Sequence, residues 1–398
     1  MLTPILLSLT LASSAAVLPP RASEPGPPLA LSFPAHPLFD PLAAGFRAGD
    51  LQLAEAAVQA EIRRGGFPGA ALAIGRWNRT VVEQGIGRLD WSPSALAVDP
   101  DNTVYDLASL TKVVATTSAV MLLVEDGKLD LDAPVQRYLP EFDGGMKNLV
   151  SIRNLLTHTS GLPAGTELRG TPAEALQRAI RTPLVRTPGV AVEYSDVGFV
   201  VLFAVAERAA GEPLFRLLDR RIFGPLGMLS TTFVPGSACA RCAPTQMRRD
   251  GTLYQGLVHD PIAQALGGVA GNAGLFSTVH DLGRFAAMLA GGGELDGVRV
   301  LKAQTVHQFM LRQPGAGTRA LGWDTPAPGG TGAAGVKISP RAFGHTGFTG
   351  TSLWVDPDRG TWVVFLANRT FRPQASNHIQ AVRRTIHDWV ALAADDIS

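Results

Sequence analysis

Residues 105–112 read Tyr-Asp-Leu-Ala-Ser-Leu-Thr-Lys, and they open an apolar pattern that predicts a helix over 107–125. Within that helix Ser109 and Lys112 are three residues apart, so the lysine ammonium lies beside the serine hydroxyl. A serine in the first helical turn also points its own N–H toward an oxyanion formed on it. The motif is compatible with a nucleophilic serine and a lysine partner, but S-x-x-K alone is more often an exposed helix lysine.

Apolar runs on either side of this helix predict strands near both ends of the chain. A helix over 50–64 and strands over 69–77 and 80–87 precede it. Strands over 351–355 and 362–366 and a final helix over 376–392 follow it. Residues 130–260 read as helix and loop fragments broken by Pro and Gly. The sequence therefore predicts an α/β (layered α+β) fold, with an antiparallel sheet flanked by helices and an all-helical insertion.

The first residues differ in character from the rest. Residues 1–16 carry an apolar core followed by small residues, which favours a cleaved signal peptide over a disordered cytoplasmic tail. Residues 17–48 are rich in proline and predict an extended linker. One folded domain is predicted over 49–395, with its α/β part at about 49–110 and 265–395 and its helical part at about 111–264.

Composition excludes several classes of protein. The 398 residues are 46% hydrophobic and 17% charged, with a formal net charge of +1, so a large core is available. Near-neutrality argues against nucleic acid as a partner. No further apolar run of membrane-spanning length was identified, so no transmembrane segment is expected after signal cleavage. Only five residues are lysine, which makes a motif that uses one of them informative.

The two cysteines do not predict a metal site. Cys239 and Cys242 form a single C-x-x-C, and two ligands without a second pair do not make a zinc centre. A local disulfide and two free thiols both remain open. No metal and no cofactor are expected.

Several phrases, in order, resemble the superfamily of serine β-lactamases and penicillin-binding proteins, in its class C-like branch. The phrase at 105–112 is similar to the nucleophile segment of that family. The matching phrases downstream are Ile152–Leu162 (IRNLLTHTSGL), Phe223–Met228 (FGPLGM) and Gly274–Thr278 (GLFST). The resemblance covers about residues 50–395 and implies a β-lactamase/transpeptidase-like fold. It implies that Ser109 is the nucleophile and Lys112 its partner.

The resemblance also assigns a second motif, Tyr194-Ser195-Asp196, to the family's Y-x-N pattern. Tyr194 is then expected across the cleft from the nucleophile, where it takes the Ser109 proton and passes it to the leaving group. Asp196 departs from the usual Asn and adds a negative charge beside Lys112. Pairing with Asp196 favours a protonated Lys112 and shifts the base role toward Tyr194, although the choice between the two stays open.

The third motif is His345-Thr346-Gly347, where the family often has K-T-G. It is expected on an edge strand lining the cleft, and the N–H of Phe348 is expected to complete the oxyanion hole with that of Ser109. A neutral imidazole binds a substrate carboxylate poorly at pH 7. The histidine therefore weakens the expectation of efficient β-lactam hydrolysis.

Together these features predict a secreted or periplasmic serine hydrolase that forms an acyl-enzyme with an ester, amide or β-lactam carbonyl. Its expected partner is a small molecule or short peptide. A true class C-type β-lactamase or D,D-peptidase is the alternative. A non-catalytic domain that binds peptidoglycan or penicillin is the rival from another class, and the presence of Ser109, Lys112 and Tyr194 disfavours it. Oligomeric state stays open.

Overall fold

The structure, a computed structural model, describes residues 38–394. The predicted signal peptide and the linker up to residue 37 lie outside the described residues. Residues 38–48 differ from the predicted linker, because they pack on the folded body. Phe46 is fully buried there, and the Arg47 N–H donates to the carbonyl of Ala393 at 2.9 Å. Burial of the Phe46 ring accounts for this ordering, and proline content alone did not reveal it.

The strands form one large sheet and several small ones. The large sheet has the antiparallel order β10-β11-β12-β1-β2. A small sheet has the order β3-β7-β4, and two hairpins pair β5 with β6 and β8 with β9. The strand bounds are β1 Gly69–Arg76, β2 Arg79–Gly87, β3 Tyr105–Asp106, β4 Thr232–Phe233, β5 Gln246–Met247, β6 Leu253–Tyr254, β7 Leu275–Ser277, β8 Glu294–Leu295, β9 Val298–Arg299, β10 Phe343–Thr346, β11 Ser352–Asp356 and β12 Thr361–Ala367.

Helices cover both faces of the large sheet. Helices α1 and α10 pack against each other and against one face, while α8 packs on the other face beneath β1, β11 and β12. The helix bounds are α1 Ala48–Arg63, α2 Ser118–Glu125, α3 Ile152–Leu156, α4 Pro172–Arg181, α5 Asp196–Ala210, α6 Leu214–Leu218, α7 Pro261–Ala265, α8 Val279–Ala290, α9 Ala303–Met310 and α10 Ile379–Ala394. Strand β12, which reads TWVVFLA, is buried along its whole length because apolar layers lie on both sides of it.

The predicted helix over 107–125 is helical but not uniform. It begins as a 3₁₀ turn over Ala108–Leu110, continues as a π-helix over Lys112–Thr117 and ends as α2. Apolar spacing does not distinguish these hydrogen-bond patterns, which is why the sequence predicted a plain α-helix. Short π segments occur frequently at functional sites.

The same stretch, Ala108–Glu125, has the length and mean hydropathy of a membrane-spanning helix, and it alone does so among residues 38–394. The sequence had not indicated a run of that length here. This stretch is 83% buried inside the protein, as expected for a helix in the core of a folded domain.

The region between 111 and 264 is not all-helical. Strand β4 joins the small sheet, and β5 and β6 form a hairpin within it. The disulfide between Cys239 and Cys242 lies in the loop before that hairpin, which decides between the bridge and two free thiols. The sequence did not predict these strands, because a two-residue strand in a loop carries no periodic hydrophobic pattern.

Three buried histidines make the fold sensitive to acid. Burial lowers the pKa of His158 and His345 well below their usual range, and it lowers the pKa of His387 to about 3. Below the ordinary value of 6.5, the unfolded chain gains protons that the folded chain does not bind, so the unfolding free energy falls. Burial also raises the pKa of Asp106 to about 6, which acts in the opposite direction below that pH. Burial raises the pKa of other carboxyl groups in the same way, so the contribution of one histidine is measured as a difference between a variant and wild type.

We expect His387→Phe to reduce this acid sensitivity. The ring of His387 is 2% exposed, and neither of its nitrogens has a hydrogen-bond partner within residues 38–394. Between pH 7.5 and 5.5 the fall in unfolding free energy should shrink by about 1.4 kcal/mol relative to wild type. Denaturant titrations at the two pH values measure this difference. His307→Phe, at an exposed position, is the control; an unchanged pH dependence in His387→Phe would contradict the prediction.

Candidate active site

The turn that carries Ser109 is held in an unusual backbone conformation. Ala108, the residue before it, has φ +46°, a left-handed value that costs a non-glycine residue of order 1–3 kcal/mol. The buried Asp106 carboxylate accepts the Ala108 N–H at 2.9 Å and the His259 N–H at 2.7 Å. These bonds hold the strained turn at the end of β3, so that Ser109 lines a cleft of about 470 Å³.

Lys112 lies beside Ser109, as the motif predicts. Its side chain is fully buried, and Nζ donates to Ser109 Oγ at 3.1 Å, to Asp196 Oδ1 at 2.5 Å and to the Asn272 carbonyl at 3.0 Å. An ammonium has three donors, and all three are used here. The geometry therefore fits a protonated lysine.

The electrostatic surroundings of Lys112 act in the same direction. Burial lowers the pKa of Lys112, but the neighbouring Tyr194 and Asp196 raise it by more, so that the pKa stands above its usual value. Asp196 stands where the family has Asn, so this chain holds an additional negative charge against the ammonium.

Tyr194 is positioned by the turn that leads into α5. Ser195 Oγ caps the helix by accepting the Gly198 N–H at 2.9 Å. The Ser195 N–H donates to His158 Nδ1 at 3.0 Å, and the His158 ring stacks on Tyr194 with 4.4 Å between centroids. Lys112 Nζ lies 4.9 Å from the centroid of the Tyr194 ring. The motif Tyr194-Ser195-Asp196 therefore lies next to the motif of Ser109 and Lys112.

His345 lies on β10, an edge strand, next to the cleft. It is 4% exposed, and its Nδ1 donates to the Thr346 carbonyl at 2.8 Å. Burial, followed by the positive charges of Arg319 and Lys112, lowers the pKa of His345 well below its usual range. The imidazole is therefore neutral near pH 7 and supplies no positive charge to a substrate.

Close packing explains why position 347 is glycine, and the sequence did not reveal this. A side chain on it would overlap Thr351 and the Leu107 carbonyl, because the end of β10 lies directly against the nucleophile turn. Two threonines join these segments: Thr349 Oγ1 donates to the Asp106 carbonyl at 2.7 Å, and Thr351 Oγ1 donates to the Leu107 carbonyl at 2.8 Å. The segment 347–351 and the turn that carries Ser109 are therefore fixed to each other.

The structure brings the predicted residues together. Six line one cleft, namely Ser109, Tyr194, His345, Thr346, Gly347 and Phe348. Lys112 and Asp196 hydrogen-bond to each other, and Lys112 also bonds to Ser109. Three arginines that line the cleft, Arg319, Arg369 and Arg383, were not predicted from the sequence. A second cation was expected only as lysine, whereas the large excess of arginine over lysine was the available signal.

One cluster of metal-ligand type occurs in residues 38–394, away from this cleft. It joins Glu83, Asp101 and His280. His280 Nδ1 lies 3.0 Å from Glu83 Oε1, and burial lowers the pKa of His280 less than the carboxylates of Glu83, Asp101 and Asp281 together raise it. The arrangement is that of an ion pair between β2 and α8.

Comparison with known proteins gives a consistent result. A family model described as Beta-lactamase matches residues 54–385. A Salmonella typhimurium (strain LT2) protein named "Putative D-alanyl-D-alanine carboxypeptidase" is 32% identical, over 87% of this chain and 89% of its own length.

Two solved structures share the fold. One is EstCE1, a hydrolase with promiscuous acyltransferase activity: TM-score 0.68, 24% identity, 86% of this chain and 99% of that chain covered. The other is a penicillin-binding protein homologue from Caulobacter crescentus: TM-score 0.69, 21% identity, 86% and 97% covered.

Proposed function

The chain belongs to the beta-lactamase family and is a serine hydrolase, and we propose that it cleaves short peptides ending in a D-amino acid with a free carboxylate. The observation that carries the proposal is the cleft in which Ser109, bonded to Lys112, lies beside the end of β10 and a group of arginines. The name of the Salmonella relative supports the same substrate class.

Ser109 forms the acyl-enzyme in this proposal. Its Oγ attacks the carbonyl carbon, and the phenolic oxygen of Tyr194 accepts the hydroxyl proton and delivers a proton to the leaving amine. Lys112 remains a cation throughout and stabilises the negative charge that develops on the Tyr194 oxygen. The N–H groups of Ser109 and Phe348 stabilise the oxyanion. Water then attacks the acyl-enzyme, with Tyr194 as the base, and restores free Ser109.

Arg319 supplies the cation that the neutral His345 does not. Its guanidinium lies 5.5 Å from the centroid of the Tyr194 ring, inside the cleft. The side chain is 18% exposed, and Asp324 at 3.9 Å is its ion-pair partner. At that separation the pair is loose, so a substrate carboxylate has a donor fork available.

We expect Arg319→Gln to raise KM selectively. For an N-acylated D-Ala-D-Ala peptide, KM should rise roughly 30-fold, because a charge-assisted hydrogen bond to the terminal carboxylate is lost. For the methyl ester of the same peptide, KM should stay within twofold. Release of D-alanine or its ester, followed by chromatography, measures both. Arg312→Gln is the matched control, since Arg312 bonds to Thr325 and Pro326 and does not line the cleft.

Equal effects of Arg319→Gln on the two substrates would rule out carboxylate recognition by this residue. Failure of the wild type to release D-alanine, with turnover of simple esters, would favour the second candidate, an esterase. The neutral His345 and the name of EstCE1 support that candidate.

The proposal includes export of the enzyme from the cytoplasm. The disulfide between Cys239 and Cys242 is supporting evidence, because such bridges persist in oxidising compartments. The apolar segment at 5–11 is typical of a signal peptide that directs the chain there.

A further inference from the structure

Arg383, on α10, is a buried cation in the wall of the cleft. It is 3% exposed, and among residues 38–394 no acidic side chain forms an ion pair with it. Its Nη2 instead donates to two carbonyl oxygens, that of Gly347 at 2.9 Å and that of Thr351 at 2.7 Å. A buried charge without a counter-ion is costly, so this arrangement calls for an explanation.

The Gly347 carbonyl belongs to the same peptide unit as the Phe348 N–H, the second oxyanion donor of the proposed mechanism. Because a peptide unit is planar, a hydrogen bond that fixes the carbonyl also fixes the direction of the N–H. A cationic donor on the oxygen also polarises the amide and makes its N–H a stronger donor.

The next peptide unit is held in a similar way. Arg369 Nε donates to the Phe348 carbonyl at 2.6 Å, and its guanidinium lies 4.8 Å from the centroid of the Phe348 ring. The His259 ring stacks on Phe348 with 5.8 Å between centroids. Two arginines therefore bond to the carbonyl groups of the two consecutive peptide units that meet at the Phe348 Cα, Arg383 to that of Gly347 and Arg369 to that of Phe348.

We propose that Arg383 is a positioning residue that orients and polarises the Gly347–Phe348 peptide for binding of the oxyanion. This inference rests on the proposed function, because it needs an acyl-transfer reaction at Ser109. In this proposal Arg383 acts through the peptide, with its Nη2 donors directed at the Gly347 and Thr351 carbonyls and not at the substrate. Its contribution belongs to the transition state, so it changes kcat and leaves KM nearly constant.

The test uses a substrate and an inhibitor without a carboxylate, so that loss of a positive charge cannot act through substrate binding. p-Nitrophenyl acetate serves as the substrate, and phenylboronic acid, which forms a tetrahedral adduct with a serine, reports on the oxyanion hole. Removal of one oxyanion donor typically costs about 10²–10³-fold in kcat, and loss of its support should cost somewhat less. We expect about 10-fold for Arg383→Lys and about 100-fold for Arg383→Met.

For both variants KM should stay within about twofold, and boronate affinity should fall by the same factor as kcat. Arg383→Lys keeps the charge and one donor, so it covers the case in which Arg383→Met does not fold. Arg76→Lys is the matched control, because Arg76 also donates to two carbonyls, those of Arg359 and Gly45, and does not line the cleft. Circular dichroism and the unfolding midpoint establish folding in each case.

Wild-type kcat and boronate affinity in a folded Arg383 variant would overturn the inference, as would a rise in KM at constant kcat. Failure of acyl transfer at Ser109, the part of the proposed function on which this inference rests, gives a different result: Ser109→Ala would then hydrolyse the ester as fast as wild type, and the boronate would not bind to wild type.

Discussion

Ser109→Ala is expected to lower kcat/KM by about 10⁴-fold or more, since no other group replaces the nucleophile. The substitution should leave the fold intact. Within the described chain the hydroxyl contacts Lys112, which keeps its bonds to Asp196 and Asn272. Loss of this single hydrogen bond should change the unfolding free energy by only about 1 kcal/mol. The expected loss of activity therefore comes from the missing nucleophile and not from unfolding.

Two readouts make the test specific. Intact-protein mass spectrometry should show an acyl adduct on wild type after rapid quenching and none on Ser109→Ala, while steady-state turnover gives the rate. Ser118→Ala is the matched control on the same helical segment, because Ser118 is also buried and donates to the Val113 carbonyl at 3.0 Å. It should lose some stability and keep its activity. An adduct or turnover that persists in Ser109→Ala would falsify the proposed mechanism.

The fold was predictable where the pattern of side chains determines the element. The strands 69–77 and 362–366 correspond to β1 and β12, because small or β-branched apolar residues fill positions buried on both faces. The final helix was expected over 376–392 and spans Ile379–Ala394, because its apolar stripe faces the sheet. The two-residue strands β4, β5 and β6 were not predictable, since their pairing depends on distant partners.

The site was predictable only in its motifs. Ser109, Tyr194 and His345 were found because the surrounding phrases resemble a known family. Arg319 and Arg383 belong to no motif, and each reaches the cleft from a segment far away in sequence. The expectation of a protonated Lys112 followed from Asp196 alone. The third acceptor, the Asn272 carbonyl, depends on backbone packing and leaves no trace in the sequence.

We expect Tyr194→Phe to lower the acylation rate by about 10³-fold, because general base catalysis contributes about 10²–10⁴-fold. The ring remains stacked on His158, so that the fold and substrate affinity should change little. Stopped-flow measurement of the nitrophenolate burst reports acylation directly. A burst rate close to that of wild type would show that Tyr194 does not remove the proton.

A second substitution separates Tyr194 from Lys112 as the base. Asp196 raises the pKa of Lys112, so Asp196→Asn should lower that pKa and increase the fraction of neutral amine at a given pH. If Lys112 were the base, Asp196→Asn would accelerate acylation at low pH and would restore activity to Tyr194→Phe. We expect neither effect. The ammonium keeps its bonds to Ser109 and to the Asn272 carbonyl, and in this mechanism its role is to hold positive charge beside the Tyr194 oxygen. The double variant Tyr194→Phe/Asp196→Asn should therefore be no faster than Tyr194→Phe over pH 5–9, and recovery of even tenfold would assign the proton transfer to Lys112.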